Sequence, residues 1–309
     1  MPETLAMTVD EVDVSIRPPL ERVPSFNLEK PLQRWFVATA SGLAPGAKVD
    51  GVRRRVVREG GARVRVHIPE QPSGAAMLWI HGGGLVLGGA ATDDRLSAET
   101  ARETGAIVVS AEYRLAPRHP FPAAHDDVYA AWTWLQGNAD ALGVDASRIA
   151  VGGQSAGGGI AATLVQRLHD EGADVAAQLL LCAMLDDRTA ADRGLDARRH
   201  LVWNNRSNLV GWRSYLGQAP GAASVPPYAV AARREDLSGL PPAWLYWSEL
   251  ELFAAEDRAY AERLAAAGVD VTTVVLDGVA HGFEAWAYAT PLAQSLLADA
   301  RTWLRAALA

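Results

Sequence analysis

Apolar and charged residues alternate, or nearly so, along two early stretches, Val52 to Val57 and Arg63 to Ile68. A strand with one face in water repeats with period two. These stretches therefore read as antiparallel strands joined at Glu59-Gly60-Gly61, forming a solvent-exposed sheet edge. From Met77 the pattern changes. Met77-Leu78-Trp79-Ile80, Ile107 to Ser110, Arg148 to Val151, Gln178 to Cys182, Ala243 to Trp247 and Val271 to Leu276 are short, mainly apolar runs. Helical stretches separate them: Asp94 to Thr104, Asp126 to Gln136, Ser155 to His169 and Phe253 to Ala267, with Leu292 to Ala307 last. Alternating strand and helix predicts an α/β fold, a parallel sheet with helices on both faces and right-handed crossovers.

Two segments escape this alternation. Residues 1–45 are broken by Pro18, Pro19, Pro24, Pro31 and Pro45. Within them Leu28 to Ser41 carries Leu32, Trp35 and Phe36 at helical spacing, and these aromatics should pack on something. The second segment, Asp186 to Pro227, lacks a strand pattern but holds Trp203, Trp212 and Tyr215, with a helix expected from Ser207 to Leu216. It is inserted between two core strands. Ligands of open α/β sheets bind outside the C-terminal strand ends, so the insertion is placed to form a lid or cap.

Composition narrows the function. A chain of 309 residues, 49% hydrophobic and 21% charged, supports a sizeable globular core. The net charge of −7 argues against nucleic acid or an anionic membrane as main partner. Cys182 is the single cysteine, so no intrachain disulfide forms and a cysteine-based metal site is not expected. Its apolar surroundings suggest a buried, inert thiol. Met1 to Asp13 lacks the basic and apolar pattern of a signal peptide. No stretch of about 18 residues is apolar throughout. A soluble, cytoplasmic protein is the expectation.

Gly153-Gln154-Ser155-Ala156-Gly157 joins the strand ending at Val151 to the following helix. This G-x-S-x-G is the pattern of a nucleophile elbow. The corner residue is held in strained φ/ψ, and flanking glycines remove the Cβ atoms that would collide with the tight backbone. The helix behind points free N–H groups and its positive dipole end at whatever the serine attacks. A serine nucleophile needs a base, and the base an orienting acid. His281 follows the last strand on a glycine-flanked loop, in Gly278-Val279-Ala280-His281-Gly282-Phe283, and is the candidate base. His169 and His200 read as ordinary surface histidines. The acid belongs on the loop after Ala243 to Trp247, which offers Glu249 and Glu251, with Glu256 and Asp257 already on the helix that follows. His81-Gly82-Gly83-Gly84 follows a buried strand and can bring backbone N–H groups onto an oxyanion, with the Ala156 N–H as further donor. The run fits neither a P-loop nor a dinucleotide fingerprint.

Taken together, His81-Gly82-Gly83-Gly84, Tyr113-Arg114-Leu115-Ala116-Pro117, His119-Pro120-Phe121-Pro122-Ala123, Gly153-Gln154-Ser155-Ala156-Gly157-Gly158 and His281-Gly282-Phe283 resemble the bacterial hormone-sensitive-lipase family of carboxylesterases, which are α/β-hydrolases. The resemblance implies a mostly parallel eight-stranded sheet with helices on both faces. It implies a helical cap made of residues 1–45 and 186–227 over a core of residues 46–185 and 228–309. It implies hydrolysis of short-chain acyl esters with Ser155 as nucleophile, His281 as base, and the amides of Gly83, Gly84 and Ala156 as oxyanion hole. No metal or organic cofactor is implied, and a homodimer through the edge at Val271 to Leu276 is. Register from Ala259-Tyr260-Ala261-Glu262-Arg263-Leu264 places Glu251 at the triad acid. The chain departs from the family at Gln154, where Asp is usual, and in using Glu as the acid. Leu85, Trp203 and Trp212 are the substrate-binding candidates. With Trp35, the two tryptophans are expected to close the acyl pocket, and no exposed apolar lid is evident. An amidase or peptidase on the same triad is the nearest alternative; a non-catalytic receptor would be expected to have lost Ser155 or His281.

Overall fold

The computed structural model describes residues 5–42 and 46–309. The first segment gives a two-residue strand β1 (Leu5–Ala6) and helices α1 (Arg17–Leu20) and α2 (Pro31–Gly42). The alternating stretches form the hairpin β2 (Val52–Glu59) and β3 (Ala62–Pro69), paired from Val52 with Pro69 to Glu59 with Ala62. Then follow β4 (Ala76–Ile80), α3 (Asp94–Thr104), β5 (Ile107–Ala111), α4 (Ala123–Gly137), the short α5 (Ala139–Leu142), β6 (Ile149–Gln154), α6 (Ala156–Asp170) and β7 (Ala177–Leu181). The insertion contains α7 (Asp187–Ala191), a two-residue β8 (Arg198–Arg199) and α8 (Asn205–Leu216). The chain closes with β9 (Ala243–Ser248), α9 (Ala254–Ala266), β10 (Val271–Leu276), the single-turn α10 (Phe283–Trp286) and α11 (Pro291–Ala307).

Eight strands form one sheet in the order β10-β9-β7-β6-β4-β5-β3-β2, parallel except where β3 meets β2 and β5. Alternate side chains of each buried strand enter opposite layers. Leu78, Ile80, Val109, Leu180 and Leu245 pack with α4, α6 and α9. Met77, Trp79, Val108, Leu179 and Trp244 pack with α3 and α11. Burial on both faces is why these strands read as apolar runs and the hairpin as an alternation. Asp94, fully buried at the start of α3, ties that helix to the hairpin: Arg65 Nε donates to it at 2.7 Å and Arg54 pairs with it.

Three expectations need correction. The N-terminal segment is stapled to the insertion by β1 lying parallel to β8, Leu5 beside Arg198 and Ala6 beside Arg199, inside a stretch with no strand pattern. The helix expected from Leu28 begins at Pro31, where a proline loses no intrahelical bond. Leu32, Trp35 and Phe36, expected to be packed, are exposed by 83%, 67% and 64%, so α2 turns an apolar stripe to solvent although no exposed apolar lid was expected. Among the described residues no helix is long and apolar enough to cross a membrane.

Candidate active site

Ser155 sits between the last residue of β6 and the first of α6, with φ 54° and ψ −121°. Such a backbone is unfavourable for a residue bearing a Cβ. Its neighbours impose it. The Ser155 amide donates to Leu181 O at 2.8 Å, and its carbonyl accepts from the amides of Gly159 at 3.1 Å and Met184 at 2.9 Å. A Cβ at Gly153 would collide with the carbonyl of Gly157, and one at Gly157 with that of Ile80.

Ser155 Oγ lies 2.8 Å from His281 Nε2, and His281 Nδ1 lies 2.5 Å from Glu251 Oε2. The other Glu251 oxygen accepts the Ser248 amide at 3.1 Å. All three side chains are buried. They come from the ends of β6, β9 and β10, at the C-terminal edge where an open parallel sheet presents its loops. Phe253 packs edge-on against the His281 ring, with centroids 5.1 Å apart.

The remaining carboxylates have other partners. Glu249 is exposed and bonds Arg258. Asp257 is buried and accepts the Ala183 amide at 3.2 Å; burial, then the charges of Glu251 and Glu256, pushes it well above the usual carboxylate range. Glu256 is buried too and accepts the Leu185 amide at 2.7 Å and the Asp186 amide at 3.2 Å. It therefore ties α9 to the chain leaving β7.

The glycine loop is built from behind. The His81 ring stacks on Tyr113 at 4.1 Å, and the Tyr113 hydroxyl donates to His81 O at 2.9 Å. Gly83 and Gly84 have φ of 119° and 59°, which suit glycine alone. Among the described residues, the amides of Gly83, Gly84 and Ala156 donate to no protein acceptor. Gly83 and Gly84 face the same cavity as Ser155. Three free N–H groups near a hydrogen-bonded serine can stabilise an oxyanion formed on an attacked carbonyl.

That cavity measures about 630 Å³. Apolar walls come from both the N-terminal segment and the insertion, among them Leu20, Phe26, Val37 and Trp203. The Trp203 ring lies directly against Gly84, where a Cβ would strike it. Leu85 and Trp212 are corrections: both are buried and neither lines the cavity, Trp212 packing edge-on against Tyr215 at 6.0 Å. Trp35 is on the solvent side of α2. His200, read from sequence as a surface histidine, lines the cavity instead, and burial, then Arg198, lowers its basicity. Cys182 is buried as expected; its sulfur and the nearest ligand atoms of Glu251 and His281 lie within 4.8 Å of one another. Burial raises the Cys182 thiol far above its ordinary value, so it remains a neutral thiol.

Sequence reasoning missed Glu284. This carboxylate is fully buried three residues after His281, bonded to Gln154 and Tyr246. Its one sequence signal is a carboxylate within the turn after His281.

A family model described as alpha/beta hydrolase fold matches residues 77–285. The chain is 36% identical over 228 residues to the esterase LipI of Mycobacterium tuberculosis, covering 73% of this chain and 70% of that one. It is 37% identical over 224 residues to the carboxylesterase NlhH of the same species, covering 70% and 69%. Among solved structures, a bacterial heroin esterase superposes with a TM-score of 0.89 at 35% identity, over 98% of this chain and 100% of that one.

Proposed function

The chain belongs to the α/β-hydrolase fold family, in its bacterial hormone-sensitive-lipase branch of carboxylesterases, and from that premise we propose that it hydrolyses short-chain acyl esters through Ser155, His281 and Glu251. One observation carries the reading: the unbroken hydrogen-bonded line from Ser155 Oγ through His281 to Glu251 at the floor of an apolar cavity. His281 Nε2 takes the Ser155 proton as Oγ attacks the ester carbonyl. Glu251 holds the imidazole by Nδ1 and stabilises the imidazolium. The carbonyl oxygen becomes an oxyanion facing the amides of Gly83, Gly84 and Ala156. The C–O bond to the alcohol breaks, and the alcohol leaves with the proton from His281. Water, deprotonated by His281, then cleaves the acyl-enzyme and restores the Ser155 hydroxyl.

Residues 1–45, of which 1–4 and 43–45 lie outside the described residues, and 186–227 act as the cap over a core of 46–185 and 228–309. The β1–β8 pairing and the shared cavity wall support this division. The cap limits acyl length: each methylene buried adds about 0.8 kcal/mol while room remains, and activity falls once Trp203 blocks the chain. A homodimer through β10 fits its position at one edge of the sheet, with Val275 exposed by 46%. Light scattering showing only monomer at micromolar concentration overturns that. The test of the activity is hydrolysis of aryl esters of graded acyl length, with an aryl amide series beside them. Turnover is expected on short esters and absent in Ser155→Ala. A wild-type protein inert to all esters overturns the reading.

A further inference from the structure

Behind the nucleophile lies a second buried line of polar side chains. Gln154, the residue before Ser155, donates from Nε2 to Glu284 Oε1 at 2.5 Å. The Tyr246 hydroxyl, from β9, donates to the other Glu284 oxygen. Cys182 Sγ, just after β7, is 3.7 Å from Oε1. Glu284 is fully buried, and Gln154 is 8% exposed. The Gln154 amide also fills the gap between two loops: a Cβ on Gly82 would meet its Oε1 at 3.2 Å, and one on Gly282 would meet its Nε2 at 3.5 Å. One side chain thus touches the nucleophile strand, the glycine loop and the loop carrying His281.

The far end of that last loop is fixed as well. Trp286 Nε1 donates to the His281 carbonyl at 3.0 Å. His281 therefore sits on a short segment anchored by Trp286 to its own backbone and by Glu284 to the elbow. The elbow end of the second anchor is a neutral donor, the Gln154 amide. An aspartate at this position would set a carboxylate beside the Glu284 carboxylate, and two such groups ionise together only at high cost, otherwise sharing one proton. The groups facing Glu284 are Gln154, Tyr246 and Cys182, with His281 on its own loop; none of them is a fixed positive charge able to offset a second anion.

We propose that Gln154 and Glu284 are a matched pair of positioning residues, whose hydrogen bond sets the placement of His281 relative to Ser155 and hence the rate of acyl transfer. The proposal rests on the esterase reading above. Small misplacement of reacting groups by residues off the chemistry lowers rates by up to about 10²-fold, so the pair should act on kcat and leave KM nearly unchanged.

The test compares wild type, Gln154→Asp, Glu284→Gln and the double variant Gln154→Asp/Glu284→Gln, measuring kcat, KM and their pH dependence on a short-chain aryl ester. Gln154→Asp is expected to lower kcat by about tenfold or more. Its loss should deepen as pH rises, because the shared proton leaves and the carboxylates repel. The double variant, an amide facing a carboxylate with the roles exchanged, should recover most of kcat and the wild-type pH profile. If Gln154→Asp keeps wild-type kcat at every pH, or the double variant is no better than Gln154→Asp, the proposal is overturned. Should Gln154→Asp not fold, Gln154→Met removes the donor at similar size; wild-type kcat per folded molecule with only a lowered Tm overturns the proposal equally. An inactive wild type would instead defeat the esterase reading.

Discussion

Glu251 reaches His281 Nδ1 at 2.5 Å, whereas Glu249, two residues earlier, points to solvent and bonds Arg258. A tight turn separates the two. The Glu251 amide donates to Ser248 O at 3.2 Å, and the Glu251 side chain accepts the Ser248 amide at 3.1 Å. The carboxylate is thus gripped by its own loop before it meets the histidine.

Glu251→Ala should lower kcat by about 10⁴-fold, the scale seen when a triad acid alone is removed. Glu249→Ala should stay near wild type, since an exposed ion pair contributes little. Glu251→Asp should retain part of the activity, because charge survives while reach shortens by about 1.5 Å. Kinetics on purified variants, with circular dichroism for folding, check all three. A dead Glu249→Ala beside an active Glu251→Ala would reverse the assignment.

Ser155→Ala should abolish turnover by a factor approaching about 10⁶, the loss expected for a triad acting as one unit. The elbow is held by backbone bonds to Leu181, Gly159 and Met184, so the fold and Tm should be nearly unchanged. The measurement is single-turnover ester cleavage followed against thermal unfolding.

Trp203→Ala should move the acyl preference to longer chains. Its ring closes the cavity against Gly84. Each further methylene then accommodated should raise kcat/KM by about fourfold, from about 0.8 kcal/mol of burial. An acyl-length profile identical to wild type would show that another wall sets the limit.

Glu256→Ala should destabilise the fold by about 2 kcal/mol, because it leaves the buried Leu185 amide and the half-buried Asp186 amide without their acceptor. Glu256→Gln, which keeps one acceptor oxygen, should lose less. Chemical denaturation midpoints give the comparison, and Km for a small ester should not change in either variant.

His125 should make stability fall in acid. Burial, then Arg167, lowers it from 6.5 to about 4. Between these values the unfolded chain binds a proton that the folded chain refuses, so stability is complete above about pH 6.5 and drains as pH falls toward 4. The ring is buried beside Phe121 and Tyr228. Replacing it by the non-titrating ring of His125→Phe should flatten the stability–pH curve in this window. Urea melts across the range measure it, and an unchanged slope would exclude His125 as the source.

The sequence by itself determined what is local. Apolar runs and alternation set the strands, with Val271–Leu276 matching its expected limits and the others shifted by one to three residues. The glycines around Ser155 and the loop around His281 were legible because each motif answers to its own backbone. Tertiary structure decided what depends on chain segments meeting. Periodicity could not separate Glu249 from Glu251, because an extended loop would place both on one side; the turn at Ser248 breaks that symmetry. Aromatic content marked Trp35 and Trp212 as cavity walls, yet α2 turns Trp35 outward and α8 buries Trp212 against Tyr215, while His200 takes a place on the wall. Gln154 and Glu284 stand 130 residues apart and pair only because β6 and the loop after β10 end at the same sheet edge. A side chain's type records what it can bond. Which partner it finds is fixed by packing between distant segments, and no local pattern carries that information.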